Sequence, residues 1–356
     1  MDWDIALKAA IAAAPVLLLL LGFDRLDVFN LVSFRRIVLM VLLGAAVAAA
    51  SYLVNWRVMD GFPIGFTEYA KYIAPPIEET LKALAVVGLF AANRIGFKLD
   101  AAISGFAVGA GFSVVENGWF LHTMADASLG AWIVRGFGTA IMHGGATALF
   151  AVIAHEMGER QSAADVGRYR FNPLLFVPGL VVAILVHSAF NHFPHQPLLA
   201  MAGTLLLVPL TLFLVFARSE TATRRWLQAD AEEHRAMLEQ IRAGRFAETE
   251  AGRALLALSR RFPEATAGEI TAYVALKTEL VLRAEELMLA AQDGRPGDPA
   301  AEDREKFLRL AALERDIGRP ALAALRPMLP FSRNDLWELR RLRTRAMAAE
   351  TQASPA

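Results

Sequence analysis

The sequence predicts an all-α protein, with a polytopic membrane helix bundle of about seven spanning helices and a soluble helical C-terminal region. Of its 356 residues, 55% are hydrophobic, and the mean hydropathy is +0.38, which is unusual for a soluble globular chain. Charge is also uneven: residues 1–217 carry 14 Asp or Glu and 13 Lys or Arg, whereas residues 218–356 carry the other 22 and 23. We therefore predict a transmembrane domain over 1–217 and a soluble tail domain over 218–356.

Seven apolar stretches define the predicted spanning helices. Each is close to the ~20 residues that cross a bilayer core, and helices satisfy their backbone polar groups internally in lipid. The stretches are Ile5–Phe23, Ile37–Trp56, Ile73–Ala92, Ala101–Phe120, Gly136–Ala154, Leu174–Phe193 and Leu198–Ala217.

The composition excludes several classes of protein. A chain without Cys has no disulfide scaffold, iron–sulfur cluster or thiol nucleophile. A formal net charge of zero argues against a nucleic-acid partner held by a basic surface.

The loop charges predict an orientation. Lys and Arg concentrate in loops one, three and five, for example at Arg36, Lys98 and Arg160, and again at Arg224 where the tail begins. Loop two, with one Arg and one Lys, runs mildly against this pattern. Because cytoplasmic loops are enriched in Lys and Arg, we predict an outside N-terminus and a cytoplasmic C-terminus.

The tail is predicted to form helices, because apolar residues recur at helical spacing between Ile270 and Met288. A Gly- and Pro-rich segment at 293–299 interrupts this pattern. We find no catalytic motif in the tail and interpret it as a docking or regulatory module for a cytoplasmic protein partner.

Polar side chains inside the predicted spans are few, and each is costly in lipid, by ~2.5–3.5 kcal/mol for a charged residue near a helix centre. In the predicted topology those on four helices lie within roughly 6–11 Å of the outer face. This common depth predicts one shared polar site in the outer half of the membrane. The residues are Glu78, Glu79, Lys82, Glu116, His143 and His187, with Asn117 and Asn191 beside them.

Helical spacing supports a shared site. His187 and Asn191 are four residues apart and lie on one face of their helix. Gly105, Gly109 and Glu116 share another stripe, whose glycines allow close approach of a neighbouring helix. That approach would press Glu116 into the bundle.

These side chains suit hydrolysis. A carboxylate can take a proton from water and later give it to a leaving amine, and a His and an Asn one turn apart can stabilise an oxyanion. The same groups are also ligands for a divalent metal. The residues alone leave both chemistries open.

The motifs resemble those of the PrsW family of intramembrane proteases, in a superfamily with CAAX prenyl endopeptidases and bacteriocin-processing proteins. The resemblance covers about residues 35–217 and implies a multi-helix bundle that cuts membrane-bound substrates. It is carried by the segments Pro75–Lys82 (PPIEETLK), Gly111–Asn117 (GFSVVEN), Met142–Gly144 (MHG) and His187–Asn191 (HSAFN).

The resemblance implies an intramembrane endopeptidase that cleaves a single-pass membrane protein, such as an anti-sigma factor, near the extracytoplasmic face of a bacterial inner membrane. The cofactor stays open between none and a divalent metal such as zinc. The motif positions give the catalytic candidates Glu78, Glu79, Glu116, His143, His187 and Asn191, of which Glu79, Glu116, His143 and His187 would be the metal ligands.

Each candidate residue receives a role. Glu79 is the preferred general base, with Glu78 second, and His143 positions the water. His187 and Asn191 steady the oxyanion, while Glu116 tunes the site and Lys82 compensates charge.

Two other functions use similar residues. Intramembrane Glu and His also build proton-coupled transporters, although no internal repeat is visible in this sequence. A membrane scaffold that recruits partners through its tail is the third possibility.

Overall fold

A computed structural model describes residues 3–26, 32–124, 126–164, 172–193, 195–259, 261–262, 266–295, 297–329 and 331–353. Within these ranges the chain is helical and contains no strand, which confirms the predicted all-α class. The chain divides into two compact units, one of Met1–Gln161 and Phe171–Ser219 and the other of Ser162–Arg170 and Glu220–Ala356. Arg168 and Arg170 of the fifth loop, which helped to predict the orientation, lie outside the described residues.

The first unit contains eight helices and the start of a ninth among its described residues. They are α1 (Trp3–Leu26), α2 (Phe34–Gly61), α3 (Phe66–Tyr72), α4 (Ala74–Ala91), α5 (Lys98–Thr123), α6 (Leu129–Val134), α7 (Ala140–Ala164), α8 (Val177–Asn191) and α9 (Pro197–Arg242). A π-helical turn, Arg135–Thr139, joins α6 to α7, and a 3-10 turn, Pro173–Phe176, precedes α8.

Six segments of the described chain are long and apolar enough to cross a membrane, rather than the predicted seven or so. They are Trp3–Gly22, Phe34–Gly61, Lys98–Thr123, Leu129–Gln161, Pro173–Asn191 and Pro197–Leu214. The third predicted stretch does form a helix, α4, but this helix carries Glu78, Glu79 and Lys82. These three charged residues, which belong to the predicted polar site, make α4 less apolar than the six spanning segments.

The helix α5 is the centre of the first unit and is buried along most of its length. Its glycines allow backbones on two sides to come very close: a Cβ built on Gly111 would lie 2.0 Å from the Val41 carbonyl oxygen of α2, and one on Gly109 would lie 2.2 Å from the His143 carbonyl oxygen of α7. This confirms the predicted close packing along the glycine stripe, which sets the distance between Glu116 and His143.

The outer helices present apolar side chains outward. Leu53 on α2, Leu185 on α8 and Leu206 on α9 are all more than 60% exposed. Large exposed apolar faces of this kind are unfavourable in water and favourable in lipid. With the six spanning segments, they identify an integral membrane protein.

A largely buried ion pair, which was not predicted from the sequence, lies at the N-terminal end of α5. Arg36 Nη2 is 2.9 Å from Oδ1 of the fully buried Asp100, whose oxygens also accept from Ser104 Oγ and the Gly96 backbone N–H. Because its hydrogen-bonding capacity is satisfied, we interpret this pair as a structural tie between α2 and α5.

The second unit is a helical domain with its own core. Its helices, after the end of α9, are α10 (Glu250–Ser259), α11 (Ala267–Gln292), α12 (Ala301–Ile317), α13 (Arg319–Leu325) and α14 (Arg333–Ala353). A capping box between Thr266 and Glu269 starts α11. The core surrounds α11, whose Ile270, Val274 and Leu280 are at most 1% exposed, so the predicted apolar periodicity is confirmed.

Candidate active site

Local sequence places the two glutamates of α4. Pro75 and Pro76 stand at the first turn of this helix, where the missing backbone N–H costs nothing and the fixed φ favours helix initiation. Glu78 and Glu79 follow after Ile77 and diverge by ~100° around the axis. Glu79 points into the bundle and is 1% exposed, whereas the Glu78 side chain is 13% exposed.

Glu79 is held between a lysine and a histidine. Lys82 Nζ lies 2.6 Å from Glu79 Oε1, and His187 Nδ1 lies 2.7 Å from the same oxygen. Lys82 is fully buried, and its Nζ also donates to His143 Nδ1 at 2.9 Å and sits 4.5 Å from the Phe112 ring centroid. The predicted charge compensation of Glu79 by Lys82 is confirmed.

His143 connects this pair to Glu116. Its Nε2 lies 3.0 Å from Glu116 Oε2, and the Arg135 guanidinium is 3.4 Å from the same oxygen while donating through Nε to Asn117 Oδ1 at 2.9 Å. Arg135 opens the π-helical turn, an irregularity that often marks functional sites. The turn places Arg135 level with the end of α5.

The two histidines meet edge to face. Their ring centroids are 4.7 Å apart at an interplanar angle of 84°. With Glu79 at Nδ1, His187 turns its Nε2 toward Glu78, where it lies 4.0 Å from Oε2. A carboxylate at one ring nitrogen fixes the orientation of the other.

Among the described residues of the site, Glu78 is the one carboxylate with a buried oxygen that has no hydrogen-bond partner. Its Oε1 accepts from Asn55 Nδ2 at 3.1 Å, whereas its Oε2 is buried and has no hydrogen-bond partner. Asn55 is fixed in turn, because Tyr69 OH donates to its Oδ1 at 2.8 Å. A buried acceptor without a partner is costly and points to a group that the site receives.

The structure brings five of the six predicted catalytic residues into one network. Asn191 is the exception: its Nδ2 donates to the Ala70 carbonyl oxygen at 2.8 Å, so it ties α8 to α3, and no described contact joins it to the network. The five residues in the network are Glu78, Glu79, Glu116, His143 and His187.

Three contributing residues were missed in the sequence: Asn55, Tyr69 and Arg135. Asn55 stands four residues after Ser51 in an otherwise apolar stretch, and that polar pair was the available signal. Arg135 was treated only as a loop charge at the mouth of a helix. Tyr69 precedes the third stretch and carried no signal of its own.

The site contains a donor set for a divalent metal ion. One ligand atom each from Glu78, His143 and His187 lie within 4.8 Å of one another. Two imidazoles and a carboxylate are a common protein ligand set for zinc. The unpartnered Glu78 Oε2 supports the fit, whereas His143 would bind through Nδ1 only in place of its present hydrogen bond from Lys82. The predicted set contained Glu79 and Glu116 instead of Glu78. In the structure, Glu79 is paired with Lys82 and Glu116 lies beside Arg135.

Comparison with family models identifies the family of the chain. A family model described as PrsW family intramembrane metalloprotease matches residues 33–217, just over half of the chain. Comparisons with curated proteins and with solved structures found no significant match. From the family match, together with the spanning helices and the clustered Glu and His side chains, we conclude that the chain belongs to the PrsW family of intramembrane metalloproteases.

Proposed function

We propose that this membrane protease is an endopeptidase that hydrolyses a peptide bond of a membrane-bound substrate with water activated at Glu78. The observation that carries the proposal is the buried Oε2 of Glu78, which has no partner among the described residues and faces His187. The sequence favoured Glu79 as the base. We prefer Glu78, because the Lys82 ammonium beside Glu79 lowers the basicity of that carboxylate.

Proton transfer follows from this assignment. Glu78 takes a proton from the attacking water, the water oxygen bonds to the scissile carbonyl carbon, and the C–N bond then breaks. Glu78 returns the proton to the leaving amine. Asn55 holds the other carboxylate oxygen at 3.1 Å and so fixes the direction of Oε2.

The remaining residues orient the two imidazoles. Glu79 accepts from His187 Nδ1 and Glu116 accepts from His143 Nε2, an arrangement that fixes tautomer and ring direction. We assign the oxyanion contact to the imidazolium form of His187, which donates through Nε2 while its Nδ1 donates to Glu79. Asn191 would support it indirectly, by holding α8 against α3.

The family description also implies a metal. Glu78, His143 and His187 would hold it, and when bound it would polarise the water and the substrate carbonyl. Glu78 would be a ligand of the ion if the metal is bound and the general base if it is not. Its loss should impair cleavage in both cases, so the metal needs a test of its own.

Topology and substrate belong to the same proposal. The loop charges favour an outside N-terminus and a cytoplasmic tail, which puts the site on the extracytoplasmic side of a bacterial inner membrane. The substrate class would be a single-pass membrane protein such as an anti-sigma factor. Residues 218–356 would then be available to a cytoplasmic protein partner.

The proposal is tested with Glu78→Gln, which keeps the size of the side chain and an acceptor for Asn55. In purified protein in bilayers, we expect kcat for cleavage of a single-pass substrate to fall by about 10²–10⁴-fold, as for loss of a general base. Glu68→Gln, at an exposed glutamate of α3, is the matched control. Wild-type kcat in Glu78→Gln would refute the assignment.

A chelator arm separates the two chemistries. If the metal is used, dialysis against a chelator abolishes cleavage by the wild type, and added Zn²⁺ restores it. Cleavage that is unchanged by the chelator would leave Glu78 as base and remove the metal from the proposal.

A further inference from the structure

A second cluster of ionisable side chains is buried in the tail, within the second unit. Asp230 and His234 come from α9, Glu285 from α11 and Asp335 from α14. His234 Nδ1 lies 2.8 Å from Glu285 Oε1, and its Nε2 lies 3.6 Å from Asp335 Oδ2. One ligand atom from each of the four residues lies within 4.8 Å of the others.

The carboxylates of this cluster are buried without enough partners. Glu285 is fully buried and its Oε2 has no hydrogen-bond partner among the described residues, and the same is true of Asp230 Oδ2. Glu338, one turn after Asp335, is 1% exposed, and neither of its oxygens has a hydrogen-bond partner in the part of the chain that the structure describes. Native structures rarely leave several buried acceptors unpaired at one place.

The charges at the cluster do not balance. It holds four carboxyl groups and one imidazole, while Arg235 on the same helix turns outward to the exposed Glu286 at 3.0 Å. Arg341, which acts on Glu338 electrostatically, lies over the Trp337 ring. Burial of carboxylates with few counter-charges costs several kcal/mol per ion, and a bound cation would offset that cost.

We propose that Asp230, His234, Glu285 and Asp335 bind a divalent transition-metal ion, with Glu338 as a further carboxylate beside it. A mixed set of imidazole and carboxylate ligands suits ions such as Zn²⁺, Mn²⁺ and Fe²⁺. The ion would join three helices that are far apart in sequence, so its binding would stabilise the fold of the tail. This site is separate from the membrane site and does not depend on the proposed function.

The test uses the full-length protein in detergent, stripped with a chelator and then titrated with Zn²⁺ or Mn²⁺. Bound metal is measured by elemental mass spectrometry, and protection of α11 and α14 by hydrogen exchange. At a metal concentration 100 times Kd, exchange through unfolding of the tail should slow about 100-fold.

Variants assign the effect to the cluster. Glu285→Gln/Glu338→Gln should bind one metal equivalent fewer than the wild type and show no metal-dependent protection. Glu286→Gln, at the exposed neighbour, is the matched control and should behave as the wild type. Glu78→Gln should retain the protection of the tail, which separates this site from the membrane site.

Asp230→Asn gives a second reading if the double variant does not fold, because Asp230 lies at the half-buried edge of the cluster. It should weaken binding at least about tenfold. Equal metal content and equal protection in the wild type and in the folded cluster variants would overturn the proposal.

Discussion

The separation between α5 and α7 at Gly109 allows a quantitative prediction about catalysis. A Cβ at this position would lie 2.2 Å from the His143 carbonyl oxygen and 2.8 Å from Gly144 Cα, whereas ordinary contacts begin at 3.4 Å. In Gly109→Ala, the two helices must therefore move apart by about 1 Å. The obstacle is backbone, which cannot rotate away as a side chain could.

That displacement acts directly on the site, because α5 carries Glu116 and α7 carries His143, whose Oε2–Nε2 distance is 3.0 Å. A misplacement of ~1 Å costs about 10²-fold in rate, and the crowding itself destabilises by ~1–3 kcal/mol. We expect Gly109→Ala to remain folded and to lose about 100-fold in kcat.

The assay is cleavage of a single-pass substrate in bilayers, together with thermal unfolding to establish that the variant is folded. Gly88→Ala on α4 is the matched control, because nothing lies within 4 Å of a Cβ there, and it should cleave as the wild type does. A folded Gly109→Ala protein with wild-type kcat would refute the view that this helix contact sets the catalytic geometry.

Two further predictions concern buried lysines. Lys82→Met should destabilise the first unit by ~3–5 kcal/mol, because it leaves Glu79 charged and buried; adding Glu79→Gln should recover part of this in denaturant unfolding, and additive effects would contradict the pairing. In the tail, burial lowers the pKa of Lys277 to about 8, so the unfolded chain binds more protons than the folded one above that pH. The contribution of Lys277 to the tail's free energy of unfolding should therefore rise as pH increases from about 8 to 10. Proteolysis of residues 220–353 in increasing denaturant measures this contribution as the difference between the wild type and Lys277→Met. A difference that does not change with pH would contradict the shift.

The sequence by itself determined the helical class and the membrane location, and it predicted that the polar residues of separate helices lie at one level. These follow from local properties: the length of an apolar stretch against the thickness of a bilayer, and the distance of each polar residue from the end of its helix. For this reason Glu116, His143 and His187 could be grouped although they lie on three different helices.

Only the tertiary structure decided which groups are paired and which are open. Glu78 and Glu79 are adjacent and chemically identical, but they have different hydrogen-bond partners. The orientation of α4 about its axis directs Glu79 toward Lys82 and Glu78 toward Asn55. Asn191 lies on the same helix face as His187, but its side-chain amide donates to a backbone carbonyl of α3.

The tail cluster shows the same limit more strongly. His234 and Glu285 are 51 residues apart in the sequence. Each ionisable residue of the cluster, taken alone, resembles an ordinary charged residue on a helix of a soluble domain. Sequence periodicity reports which face of a helix is apolar, but it does not report which polar residues from distant helices share one buried space. That convergence depends on how α9, α11 and α14 pack, because helix packing fixes the distances between side chains that are far apart in the sequence.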